Sequence, residues 1–151
     1  MVASNIMTTD ILKLNRASTL LDALRACSAQ KIRQVPVVDA SNKLIGVVTT
    51  KGLFKAVLPN YISEGLLDDV SFAPDLPGFI ENIKTLTSKG VLEFLDSDYV
   101  AIRPEVAVME VCAIFVSAKR NVESIMVVDN ASHLLGVIAP WDVFKRLCDL
   151  I

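Results

Sequence analysis

Two seven-residue stretches carry the side chains best placed for chemistry. Gly46-Val47-Val48-Thr49-Thr50-Lys51-Gly52 and Gly136-Val137-Ile138-Ala139-Pro140-Trp141-Asp142 both run from an apolar strand into the start of a helix. In the first, Thr49 is a natural N-cap whose hydroxyl would accept an N–H of the first turn. Lys51 stands where the helix dipole disfavours a cation, which fits either an anion close by or a solvated lysine. In the second, Pro140 suits the first helical turn and partly offsets the weak cap Ala139. Asp142 is favoured by the dipole in that same turn. Trp141, the only tryptophan, can stack on a base or pack in an interface. Each of these residues has a structural and a ligand-binding reading, and residue types alone leave both open.

Catalysis finds less support. His133 is the only histidine and falls in a turn, so neither a metal site nor acid–base chemistry follows from it. There is no Cys–His pairing and no glycine-rich phosphate loop with its lysine. The chain is therefore read as a non-enzyme, with no catalytic residue, no metal and no required cofactor. The 3 cysteines, Cys27, Cys112 and Cys148, are odd in number and far apart. Cys27 and Cys112 lie in apolar helical stretches, which points to core thiols in a reducing compartment. The net charge of −2 and pI near 5.3 suggest no polyanion-binding surface, so no nucleic-acid partner is expected. Hydrophobic residues make up 52% and the mean hydropathy is +0.49. No apolar run approaches the roughly 18 to 20 residues that cross a bilayer, so no membrane partner is expected either. The apolar excess is assigned to buried strands and a subunit interface. The start, MVASNIMTTD, lacks a basic segment followed by an apolar one and does not read as a secretory signal; with the reducing-compartment reading of the thiols, a cytoplasmic location is the expectation.

The elements that must position the two stretches occur twice. In the first half, ILKL (11–14) reads as a strand, and Ser18 or Thr19 opens a helix with Leu20, Leu21, Leu24 and Cys27 on one face. Thr19 and Asp22 have capping-box spacing, with Asp replacing Glu. VPVV (35–38) is apolar throughout, so it should be covered on both faces. A turn cluster at Asp39 leads to the strand LIGVVT (44–49) and a helix that stops near Pro59. The second half repeats this order with YVAI (99–102), a helix over 106–119, IMVVD (125–129), LLGVIA (134–139) and a closing helix from Pro140. Between them, a long connection punctuated by Pro59, Pro74, Pro77 and Gly78 is expected to be helical over 78–95 and laid along the second half. The domain limits follow as 1–58, a partly helical linker 59–92, and 93–151. One βαββα half would leave a sheet face bare, and two halves related by a pseudo-two-fold would cover each other. Gly46 and Gly136 permit close backbone approach, read as packing rather than ligand contact.

At VPVVD…LIGVVT and IMVVD…LLGVIA the sequence resembles the tandem CBS domain, or Bateman module, over nearly all the chain outside the linker. The resemblance implies an α/β (α+β) fold of two βαββα repeats with their sheets packed together and the helices outside. It implies a stand-alone regulatory module that binds AMP, ADP, ATP or S-adenosylmethionine in the inter-repeat cleft. It also implies a homodimer that signals to a separate, unidentified protein. In that family the helix-start stretch often reads Gly, apolar, any, Thr or Ser, any, any, Asp. The carboxylate takes ribose hydroxyls, and the hydroxyl and free N–H groups hold phosphate. The present copies split the motif: the first keeps the hydroxyl and has Gly52 for Asp, the second keeps Asp142 and has Ala139 for the hydroxyl. Carried over residue by residue, Thr49, Thr50 and Lys51 would hold phosphate and Asp142 ribose. Val35, Pro36, Ile125 and Met126 would form the adenine slot, and Asn15 and Arg103 would line the cleft. Weakened and inequivalent nucleotide sites are the expectation. The alternative is a ligand-free dimerisation scaffold that keeps the fold.

Overall fold

The computed structural model describes residues 1–58, 65, 76–117 and 119–151. The first half contains β1 (Leu14–Asn15), α1 (Leu20–Gln30), β2 (Gln34–Val38), β3 (Leu44–Thr49) and α2 (Thr50–Val57). A connecting helix, α3 (Leu76–Leu86), follows. The second half contains β4 (Val100–Ile102), α4 (Val108–Phe115), β5 (Ile125–Val128), β6 (Leu134–Ile138) and α5 (Pro140–Cys148). Short 3-10 turns stand at Ala3–Asn5 and Val91–Phe94. Each half forms its own three-stranded sheet, ordered β1-β2-β3 and β4-β5-β6. The outer strand is parallel and the hairpin antiparallel in both.

Local sequence explains most boundaries. Thr19 accepts the Asp22 N–H while the Asp22 carboxylate takes the Thr19 N–H at 2.8 Å, so the shortened capping box does form. The hairpin turns are built alike. Asp39 Oδ1 accepts the N–H groups of Ser41 and Lys43, and Asp129 Oδ1 those of Ala131 and His133. Asn42 and Ser132 take the left-handed conformation that such turns need. Two elements are shorter than the sequence suggests. β1 keeps only Leu14–Asn15, because Ile11 turns aside to pack between the sheets. α4 runs only from Val108 to Phe115. The linker helix ends at Leu86, and the 3-10 turn replaces its expected continuation. Pro59 and Pro74 lie outside the described residues.

The apolar residues divide into three clusters. Leu20, Ala23, Ala26, Val35, Val37, Val48 and Leu53 join α1, β2, β3 and α2. Val108, Val111, Ile125, Val127, Ile138 and Val143 do the same for the second half. Between the sheets, Val38, Leu44 and Val47 meet Met126, Val128 and Leu134. Each hairpin is thus buried on both faces, as its unbroken apolar pattern requires.

The halves also exchange segments. Ala3 and Ile6, at the chain start, are buried in the second half's cluster, and Val91, before the second repeat, is fully buried in the first's. Backbone pairing fixes both arms. Thr8 bonds Val137 in both directions at 2.9 and 3.0 Å, and Asp96 bonds Val47 at 2.7 and 3.0 Å. Glycine is required where the arms cross. A Cβ on Gly46 would lie 2.6 Å from Leu95 Cγ, and one on Gly136 would lie 2.6 Å from Met7 Sδ. These two glycines serve packing. The connecting segment corrects the expectation that it lies along the second half. The Asn82 side-chain amide donates to the Val57 carbonyl, Leu86 packs on the first core, and Leu20 and Leu21 donate to Lys89 and Thr87.

Candidate functional site

Where each arm passes the start of the terminal helix of the opposite half, a cleft opens. At α5 the walls come from Thr8, Asp10, Arg33, Pro36, Trp141 and Asp142, around a volume of ≈ 160 Å³. At α2 they come from Thr49, Thr50, Lys51, Asp96, Asp98 and Arg120, around ≈ 400 Å³. The two are related by the repeat. Thr8 and Asp10 have Asp96 and Asp98 as counterparts, and Trp141 and Asp142 have Lys51 and Gly52.

The partition between the clefts lies on the pseudo-two-fold. Arg33 and Glu123 are equivalent positions and pair with each other at 3.3 Å. Their neighbours Gln34 and Ser124 do the same, the Ser124 hydroxyl donating to Gln34 Oε1 at 2.5 Å. Farther along the same axis Lys43 meets His133, with Leu44 N–H to Ser132 and Leu134 N–H to Asn42. Residues separated by one repeat length touch only where the axis passes between them.

The helix starts differ in what they offer. Thr49 is the N-cap of α2, its hydroxyl oxygen accepting the Gly52 N–H at 3.0 Å. Lys51 forms no ion pair among the described residues, whereas Arg120 is paired with Asp98. The Thr50 N–H is given to the Arg33 carbonyl at 2.9 Å and the Gly52 N–H to Thr49, so the α2 cleft offers an anion chiefly the hydroxyls of Thr49 and Thr50 and the Lys51 ammonium. At α5, Pro140 removes one N–H and Asp142 Oδ2 occupies that of Ala139 at 2.7 Å. Thr8 donates its hydroxyl to Asp142 Oδ1 at 3.1 Å. With Asp10 beside it, this cleft offers a carboxylate and the indole of Trp141, and repels anions.

The sequence-derived candidates fall into four places. Thr49, Thr50 and Lys51 gather in the α2 cleft, and Pro36 and Asp142 in the α5 cleft. Val35, Ile125 and Met126 are fully buried in the clusters that hold the sheets. Asn15 and Arg103 line neither cleft. Asn15 accepts the Ala17 N–H and orders its own turn, whereas Arg103 donates to the carbonyls of Val128 and Asp129 and ties β4 to the end of β5. The residues that sequence reasoning passed over are the arms: Thr8, Asp10, Asp96 and Asp98. Extending the repeat upstream aligns Thr8-Thr9-Asp10 with Asp96-Ser97-Asp98, and that signal was available.

His133 is committed to its turn, Nδ1 lying 2.9 Å from Asp129 Oδ2. Backbone N–H groups hold three carboxyls below their ordinary value. The principal donor is Thr19 for Asp22, Lys43 for Asp39 and His133 for Asp129. Burial pushes the Cys27 thiol up, which suits an inert packing role.

Duplicated halves with exchanged arms and paired inter-repeat clefts define a CBS pair. The chain belongs to that family: the CBS domain model matches residues 3–59 and 91–149. Among solved structures it is similar to the Vibrio cholerae protein AcuB, at 23% identity and a TM-score of 0.74, over 99% of this chain and 92% of that one. It is also similar to CBSX2 of Arabidopsis thaliana in complex with AMP, at 17% identity and a TM-score of 0.72, over 99% and 97% of the chains. A third likeness is the CBS domain pair of MJ0100 in complex with 5′-methylthioadenosine and S-adenosylmethionine. Its identity is 16% and its TM-score 0.69, over 100% and 98% of the chains. At these identities the likeness shows the fold. Among the described residues, no helix is long and apolar enough to cross a membrane.

Proposed function

We propose that this CBS pair is a regulatory module that binds an adenosine-containing ligand in its inter-repeat clefts and passes the bound state to a separate protein. The observation that carries the reading is that both clefts survive, each walled by an exchanged arm and a helix start. Structural relatives bind AMP in one instance and S-adenosylmethionine with methylthioadenosine in another, which supports the ligand class. The clefts are not equivalent. The α2 cleft has the chemistry for phosphate, so AMP, ADP and ATP belong there. The α5 cleft favours a nucleoside without phosphate or a cationic one such as S-adenosylmethionine. The mechanism is a population shift: a ligand that grips an arm from one half and a helix from the other favours one disposition of the halves.

A homodimer fits the surface. Trp141 and Phe144 on α5 are 60% and 63% exposed, and Phe54 on α2, the repeat counterpart of Phe144, is 64% exposed. That same apolar stripe favours the second reading, a ligand-free interaction scaffold. Thermal shift separates the two. A ligand at a hundred times its Kd adds about 2.7 kcal/mol of stability. Millimolar AMP, ADP, ATP or S-adenosylmethionine should raise the Tm by several degrees. A melting curve unmoved by all four favours the scaffold.

A further inference from the structure

The two halves solve the same problem with exchanged residues. Around α5 the helix supplies the carboxylate, Asp142, and the arm supplies the hydroxyl, Thr8. Around α2 the helix start supplies the hydroxyl, Thr49, and the arm supplies a carboxylate, Asp96. The registers are the same, since Asp96 pairs with Val47 just as Thr8 pairs with Val137. Thr8 Oγ1 comes within 3.1 Å of the carboxylate on residue 142. Asp96 holds the corresponding place on its arm: it lines the α2 cleft with Thr49 and Lys51, and shares the adjoining groove with Gly52. The packing constrains position 52 only through the Thr49 hydroxyl, which would have to give by a few tenths of an ångström. The Gly52 φ is not in the left-handed region, and an added Cβ would meet only Thr49 Oγ1, at 3.1 Å. Glycine weakens a helix, so one under so little constraint in a first turn calls for another reason. A carboxylate at 52 would face that of Asp96, and like charges at such range oppose each other.

Resting on the nucleotide reading above, we infer that Asp96 is the ribose-gripping carboxylate of the α2 cleft, moved from the helix to the arm. Its Oδ1 already accepts the Asp98 N–H at 2.8 Å, which orients the group, and Oδ2 has no partner among the described residues. Two carboxylate oxygens can accept from the two hydroxyls of a vicinal diol while Thr49, Thr50 and Lys51 hold the phosphate. The α2 cleft thereby selects a ribonucleotide over its deoxy counterparts.

The test is calorimetric titration of the full chain with AMP and with 2′,3′-dideoxy-AMP. Asp142→Asn serves as the background, so the diol preference that remains belongs to the α2 cleft; this change keeps an acceptor for Ala139. That background should prefer AMP by about 10- to 100-fold, the worth of one charge-assisted hydrogen bond. Asp96→Asn preserves the turn and should erase the preference. Asp96→Thr combined with Gly52→Asp, which copies the α5 arrangement, should restore it. A preference that survives Asp96→Asn, or AMP binding with no diol preference in the background, overturns the assignment and leaves the nucleotide reading standing. Absence of AMP binding by the unaltered protein removes the nucleotide reading and Asp96's role with it.

Discussion

At the scale of single residues, three carboxylates, Asp22, Asp39 and Asp129, couple the fold to pH. Each accepts backbone N–H groups, and each is thereby held more acidic in the folded chain than in the unfolded one. The linkage has a definite sign. A carboxyl with a depressed folded value adds stability above its unfolded value, and that stability is lost as pH falls through the folded one. Stability should therefore be flat near neutrality and decline below about pH 4, where unfolded carboxyls begin to take up protons. Replacing Asp39 and Asp129 together by Asn keeps both turns but removes two titrating groups, so the acid decline should become shallower. Urea midpoints measured from pH 7 to pH 3 check this, and parallel curves for both proteins would count against it. These turns were legible in the sequence because every bond in them spans four residues or fewer. Asp96 was not, because its significance depends on a helix 44 positions away, 96 minus 52.

At the scale of elements, the repeats were readable and their exchange was not. Helix and strand periodicity, the caps at Thr19 and Thr49 and the doubled VVD turn are local patterns, and they located the elements with shortened ends. An arm of apolar residues such as Ile6 and Met7 carries no mark of which half it will enter. The linker was misplaced for the same reason: one apolar side on α3 fits either half. The glycines record what the periodicity omits, since each lies beneath an arm from elsewhere in the chain. The two crossings differ in tolerance. Over Gly46 lie the branched Leu95 side chain and the Asp96 carbonyl at 3.0 Å, whereas over Gly136 lies the unbranched Met7. Methionine adapts and a paired backbone does not. Gly46→Ala should thus cost about 1–3 kcal/mol, as overpacking usually does. Gly136→Ala should cost less, and Met7→Ala added to it should remove most of the clash. Equal losses at both glycines in denaturant unfolding would show that the arms yield equally.

At the scale of the whole molecule, the exchange makes each half depend on the other for closure. The first core is completed by Val91, with Phe94 and Leu95 packed against it, and the second by Ala3 and Ile6, with Met7 packed against it. Burying one large apolar side chain contributes about 1.5–3 kcal/mol. Losing three such contacts is comparable with the 5–15 kcal/mol that separates folded from unfolded in a typical domain. A fragment of residues 1–58 would lack its closing arm while carrying one meant for the other core. It should show no cooperative unfolding transition as a monomer. Fusing residues 86–97 to residues 10–58 through a short flexible linker should restore one, because that supplies the missing arm and deletes the orphaned one. A sigmoidal, concentration-independent transition for the 1–58 fragment alone would refute mutual dependence. The same exchange bears on sensing. The α5 cleft contains Thr8 and Asp10 of the first arm, and the α2 cleft contains Asp96 and Asp98 of the second. A ligand in either cleft therefore ties an arm to the half it has entered and stabilises both cores together, so ligand binding should raise a single melting transition rather than split it in two.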